Sequence, residues 1–287
     1  MAKRVGWLRA QALINKNGTE LHPRLKMPAG GAGTQGDTTI IIGKNGWDSG
    51  DADPYEAAHA TQKFPLGTKI IDCEREYRYV KAAENVLEGK TVQMGALDAT
   101  INSSAGGRTV SDAVDGGTEI TFEGGGASTA DQWAEGYLIF TRAEGDNEGM
   151  SYKIKSNTAA SDTVLTLYDK LRDGSSGDPS NMAILVYNTY DQVITAPATF
   201  TGPIIGVSMG LTSGQYGWVQ VRGPASVFFD LNSDGTSGEP GENAYRSDEV
   251  NGKVYNTATA SERNHQVVGT FMSAIETECC AVWLTIE

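Results

Sequence analysis

Between Thr118 and Asn188 the chain offers TEITFEG, GYLIFTR, MSYKIKS, TVLTLYD and MAILVYN, five short apolar-alternating runs, each closed by Gly, Asn or Asp. An alternation of period two suits a strand with one buried face, and ten- to twenty-residue spacing leaves no room for crossover helices between strands. Such a segment folds as an antiparallel sandwich or barrel, not as a parallel sheet. The pattern resumes after Tyr190 as FTGPIIGVSMG, YGWVQVRG, ASVFFDLN, KVYNTA, HQVVGTFMS and AVWLTIE. Glycine, at 35 of 287 residues, supplies the turns. The fold class expected is all-β.

Helix is scarce in this reading. ADPYEAAHATQKF, 52–64, is the best candidate, with Asp53 as N-cap and Pro54 at the first helical position. Arg222, Gly223 and Pro224 read as a tight turn joining GWVQV and ASVFF in a hairpin. Residues 1–50 read as an extended, Gly-rich arm with one β-like run, Thr38 to Ile42. The arm is basic. It carries seven Lys or Arg against three acids, a net +4 that leaves −17 on the other 237 residues. Lys3, Arg4, Arg9, Arg24 and Lys26 are its candidate contacts to an acidic partner surface, a solvated tail being the alternative.

An overall charge of −13 argues against nucleic-acid binding, because phosphates would be repelled. No apolar run approaches the ~18 residues of a membrane helix, and the N-terminal residues lack the apolar stretch of a secretory signal, so a soluble protein made in the cytoplasm is expected. Cys73, Cys279 and Cys280 form no CxxC pair and are expected to be reduced, mostly buried thiols.

Three motifs invite a chemical reading. GAGTQG, 31–36, matches a dinucleotide fingerprint but follows a Pro-containing loop and precedes a β-like run, where the motif requires a strand and then a helix. GVSMG, 206–210, matches a nucleophile elbow, yet a turn and another strand follow Ser208, and only His22, His59 and His265 exist as bases. DLNSDG places Asp230, Asn232 and Asp234 at positions 1, 3 and 5 of a calcium loop with Gly235 at 6. Position 12 is Gly241, with Glu242 one residue late, so the loop reads first as a strand connection and second as a calcium site. No arrangement supplies a nucleophile, a base and an orienting third group, and a non-enzymatic role without a cofactor is expected.

FPLGTKIIDCEREYRYVKAAENVLEGKTVQ, 64–93, and IIGVSMGLTSGQYGWVQVRGPASVFFD, 204–230, resemble small β-barrel head decoration (capsid cement) proteins of tailed bacteriophages, in which the two patterns belong to one barrel. QWAEGYLIFTRAEGDNEGMSYKIKSN, 132–157, with LTLYDKL, 165–171, resembles an extra β module of larger phage virion proteins. The resemblance implies a structural protein on the capsid exterior of the virion, commonly a trimer, that clamps neighbouring copies of the major capsid protein. It also implies an antiparallel β-barrel or sandwich from 51–110 and 191–287, with 111–190 as an inserted β module. The alternative is a tail-fibre, spike or other carbohydrate-binding β protein, with Trp133, Tyr216 and Trp218 as an exposed sugar platform.

Overall fold

The computed structural model describes residues 53–55, 58–95, 107–124, 128–142, 147, 149–172, 181–230, 239–256, 265–273 and 278–287, with the backbone alone of 20–21 and 40–42. The described residues are all-β. In chain order the strands are β1 (Glu20–Leu21), β2 (Ile40–Ile42), β3 (Lys69–Asp72), β4 (Arg75–Lys81), β5 (Thr91–Gln93), β6 (Arg108–Ser111), β7 (Glu119–Phe122), β8 (Tyr137–Arg142) and β9 (Ser151–Asn157). They continue as β10 (Thr163–Leu167), β11 (Met182–Val186), β12 (Ile194–Thr195), β13 (Ile204–Ser208), β14 (Tyr216–Phe228), β15 (Asn243–Arg246), β16 (Val254–Tyr255), β17 (Val267–Phe271) and β18 (Cys279–Thr285).

Two compact units divide the chain, one holding Asp37–Gly95 and Tyr190–Glu287, the other Ala96–Thr189. The second is a closed antiparallel barrel in the order β10-β7-β6-β11-β8-β9. Closure leaves no unpaired edge and turns alternate side chains inward. Ile120, Phe122, Leu138, Phe140, Tyr152, Ile154, Leu165, Leu167 and Leu185 fill the interior. Trp133 is buried with them from a turn segment, stacked on Tyr187 at 4.3 Å. Its indole N–H donates to Ser128 Oγ at 3.2 Å, and its backbone N–H to Asn157 Oδ1 at 2.8 Å. The strand β6, which the sequence assigns to the outer body, is a stave of this barrel, pairing with β7 and β11.

The first unit is a sheet built on β14, whose first half pairs with β4 and β13 and whose second half pairs with β18. From β18 the sheet continues through β17 and β15 to β16, and β5 joins it through β13. The sheet curls into a half-barrel, and the side chain of Gln266, just before β17, links to the start of β13, accepting from Ile204 N at 2.6 Å and donating to Ile204 O at 2.9 Å. Val227, Phe229, Val254, Tyr255, Val268, Phe271, Val282 and Leu284 form the enclosed core. On the β3 side, β2 adds in parallel and β1 pairs with β2, the remaining strand pairs being antiparallel.

Two local expectations are corrected. Arg222, Gly223 and Pro224 do not reverse the chain, because β14 runs through them as one thirteen-residue strand. Gly223 takes φ +85°, and the register against β4 slips between Gln220 and Arg222, which bends the strand. The buried amide of Gln220 donates to Arg222 O and Pro224 O at 3.0 and 2.9 Å, so the carbonyls at the bend have partners without a turn. Nor is there a helix among the described residues of 52–64. Asp53 Oδ1 takes the N–H of Tyr55 at 2.9 Å, and His59 exchanges both backbone hydrogen bonds with Tyr216, at 2.7 and 2.9 Å. Phe64 then packs edge-on against Tyr79, with ring centroids 5.3 Å apart. A backbone committed to β14 at His59 has no i−4 ladder to join.

Candidate functional site

Strand β18 alternates strictly, with Cys280, Val282 and Leu284 turned into the core and Cys279, Ala281, Trp283 and Thr285 turned out. An outward face of an antiparallel sheet is ordinarily polar. Here Trp283 is 37 % exposed and sits opposite Pro224 on β14 and Thr270 on β17. Just past the end of β17, exposed Met272 donates its N–H to Ala281 O at 2.8 Å. Opposite Cys279, Phe228 is half-buried beneath the Lys90 ammonium, 4.7 Å from its ring centre. Burial, with the neighbouring charge of Lys253, holds the Lys90 amine below its ordinary value. The exposed side of β14 and β18 is thus mixed, Pro224, Phe228, Ala281 and Trp283 alternating along it with Arg222, Ser226 and Thr285.

A second feature lies at the end of β15. Arg246 is only 2 % exposed. Its Nη1 donates to Gly202 O at 2.7 Å, and its Nη2 to Gln93 Oε1 at 2.9 Å and to Pro197 O at 2.6 Å, with Thr199 O at 3.4 Å. Its Nε has no hydrogen-bond partner, and among the described residues no carboxylate pairs with it. Burial alone pulls its pKa down. Above the guanidinium lies the Phe200 ring, 4.3 Å from the guanidinium carbon to the ring centre, and the phenyl is 45 % exposed. On a second side, His265 meets the same ring edge to face at 4.6 Å. His265 Nδ1 is 2.6 Å from Tyr255 OH, and its Nε2 is 3.9 Å from the carboxylate of Asp248. The loop 197–202 is therefore strapped down by its own carbonyls while its one aromatic side chain stands out.

A charged cluster borders β3 and β4. Glu287 accepts from Arg78 and from Tyr190 OH, with Lys69 Nζ at 3.8 Å. Glu76 pairs with Lys69 and faces Arg222 at 3.9 Å. Burial pushes the Glu287 carboxyl up, but hydrogen bonds from Arg78 and Tyr190 and the charges of Arg78 and Lys69 outweigh it and leave the group below the ordinary carboxylate value.

The residues singled out from sequence fall apart from these features. Lys3, Arg4, Arg9, Arg24 and Lys26 lie outside the described residues, as do Gly31–Gly36, Asn232 and Asp234. Asp230 is buried, accepting from Ser247 Oγ at 2.7 Å. Among the described residues no group of three or more His, Cys, Asp or Glu converges to hold a metal ion. Ser208 is buried, donating to Val86 O at 3.2 Å and accepting from Gly210 N at 3.0 Å. Trp133 and Trp218 are buried in separate cores, and Tyr216 is half-buried, stacked on Tyr79 at 5.9 Å. Those three aromatics make no exposed platform. The thiols also differ from expectation, since Cys73 and Cys279 are exposed and only Cys280 is buried.

Phe200, Arg246 and Trp283 were not legible as site residues in the sequence. One signal existed. From Gln192 to Val221 thirty consecutive residues carry no Asp, Glu, Lys, Arg or His, in a chain that is 21 % charged. Much of that run is core, with Ile204–Ser208 and Gly217–Val221 buried, but its first third, where Phe200 is exposed, carries no charge either, and depletion of charge with a retained aromatic is the compositional mark of an interface core. No family model, no curated protein and no solved structure matches the chain.

Proposed function

We propose that this is a non-enzymatic structural protein of a virion, bound to the outside of the capsid shell, where it stabilises the shell by clamping the major capsid protein. One observation carries the reading. The two segments that resemble decoration proteins lie more than a hundred residues apart in the chain, yet they join in one sheet. Strand β4 pairs with β14 from Tyr216↔Lys81 to Arg222↔Glu76, and β5 pairs with β13 from Ile204↔Gln93 to Val207↔Thr91. The resemblance implies that the two patterns share one barrel, and a common curled sheet supports it. The exposed side chains of Trp283, Met272 and Phe200 supply apolar surface of the kind that protein interfaces bury. The basic arm 1–50 adds a second, electrostatic contact, and copies of the chain associate as a trimer on the shell.

The test is co-purification with intact heads, free of tails, in a copy number that tracks the capsid protein. Absence from purified heads, or presence on tails alone, overturns the proposal. Calcium enters only through the loop at Asp230, and a titration with and without chelator decides whether it binds.

A further inference from the structure

We propose that Phe200 is a pre-set apolar anchor through which the protein grips an uncharged, apolar socket on the shell protein, and that Arg246 is the residue that positions it. This inference rests on the shell-binding reading. Its basis is the mismatch between what Arg246 costs and what it secures. A guanidinium withdrawn from water with no anion beside it is unfavourable, and a surface loop needs no such device merely to exist. What the buried cation secures is the path of 197–202: three of its carbonyls accept from Arg246, and the ring of Phe200 lies over the guanidinium plane. His265 closes a second side of that ring. An exposed phenyl held on two sides has little freedom left to lose on binding, which is the property of an interface hot spot.

The chemistry of the occupant follows from charge. Around Phe200 the loop presents Ala198, Thr199 and Thr201, within the thirty-residue run that carries no ionisable side chain. The nearest cation, Arg246, is buried beneath the ring and exposes no charge. Asp248 lies beyond His265, Glu84 accepts the N–H of Thr195, and Lys90 Nζ donates to Asn251 O, but the described ring contacts of Phe200 are with Arg246 and His265 and with none of these three. A charged socket would therefore lose solvation and find no counter-charge at the anchor. A contact made by Phe200 is nearly indifferent to salt, whereas a contact made by the arm residues Lys3, Arg4, Arg9, Arg24 and Lys26 weakens as salt screens it.

The experiment is co-sedimentation of the full chain with intact heads at low salt and at about 1 M salt, where the screening length falls to ~3 Å. It compares the wild type with Phe200→Ala, Phe200→Leu and Arg246→Gln, with sedimentation velocity of each free protein alongside. The wild type is expected to stay bound at high salt. Phe200→Ala is expected to lose about tenfold or more in affinity at both salts, and Phe200→Leu to recover most of it. Because Phe200 is half exposed, its truncation leaves the fold intact, which circular dichroism checks. Arg246→Gln is expected to weaken binding while the exposure of the Phe200 loop to limited proteolysis increases, a change that a purely structural role elsewhere would not direct to that loop. Equal binding by Phe200→Ala and wild type overturns the anchor, as does complete loss of wild-type binding at high salt, which assigns attachment to the arm. A lower sedimenting mass for free Phe200→Ala also overturns it, by making the loop a contact between copies of this chain. Failure of the wild type to bind heads at any salt overturns the shell-binding reading itself.

Discussion

Arg78 reaches Glu287 across 209 positions of sequence, its Nε donating to the two carboxylate oxygens at 3.1 and 3.0 Å. Lys69 and Tyr190 complete the surround, so one carboxylate ties β3, β4 and the segment after β11 to the end of β18. A carboxyl held below its ordinary value contributes stability that is complete above that value and disappears as pH falls through the lowered one. Glu287→Gln should therefore cost about 1–2 kcal/mol at neutral pH, the worth of charge-assisted hydrogen bonds. The gap to wild type should close as the medium is acidified below the ordinary carboxylate range. Urea denaturation at a series of pH values checks this, and a constant gap would remove Glu287 from the account.

Gly223→Ala addresses the bend in β14. At φ +85° an added Cβ would stand 2.4 Å from Glu74 O, a backbone atom that no rotamer change can move. Strain and clash together should destabilise the first unit by about 2–4 kcal/mol, read as a shift of denaturation midpoint. A change below about 0.5 kcal/mol would mean that the strand bends by another means.

Trp133→Ala empties the largest buried side chain of the barrel and orphans Ser128. The expected loss is about 3–5 kcal/mol, confined to the second unit. Calorimetry should resolve an early transition for the barrel while the first unit loses no more than the loop-closure entropy of a melted insertion, about 1 kcal/mol. If both transitions shift together, the units are energetically coupled.

Thiol chemistry follows burial. Burial, with Cys279 beside it, pushes the Cys280 thiol up to about 12, so it has almost no thiolate at neutral pH. A maleimide reagent should label Cys73 and Cys279 in the native protein and Cys280 only after denaturation. Mass spectrometry of labelled peptides reads the result directly, and native labelling of Cys280 would show that β18 opens readily.

The strands were legible because their alternation is local: TVLTL and MAILV already state which side chains turn inward, and they do so as β10 and β11. The triple isoleucine at 40–42 likewise announced β2. The bend at Gly223–Pro224 was not legible, since a Gly-Pro pair reads as a turn unless a distant strand, here β18, pairs continuously across it and the amide of Gln220 takes its carbonyls. Asp53–Phe64 carried helix signals that lost to the bridge between His59 and Tyr216, a partner far along the chain. Arg246 illustrates the same limit at the candidate site. As a letter it is one more surface cation, and its meaning depends on carbonyls that precede it by more than forty residues.

The circuit of strands in each unit bears on how the chain assembles in time. The strands flanking the interruption of the first unit, β5 and β12, are neighbours, with Ile194 opposite Gln93. The first and last strands of the barrel, β6 and β11, are neighbours as well, with Met182 opposite Thr109. A barrel that forms early thus brings its own two ends together before the first unit needs them adjacent. It converts a closure of about a hundred residues into one of roughly twenty, sparing on the order of 1 kcal/mol of loop entropy at the step where β5 meets β12. During synthesis the residues of the barrel emerge before those of β13 to β18, so its two end strands can pair before most strands of the first unit are free to join their sheet.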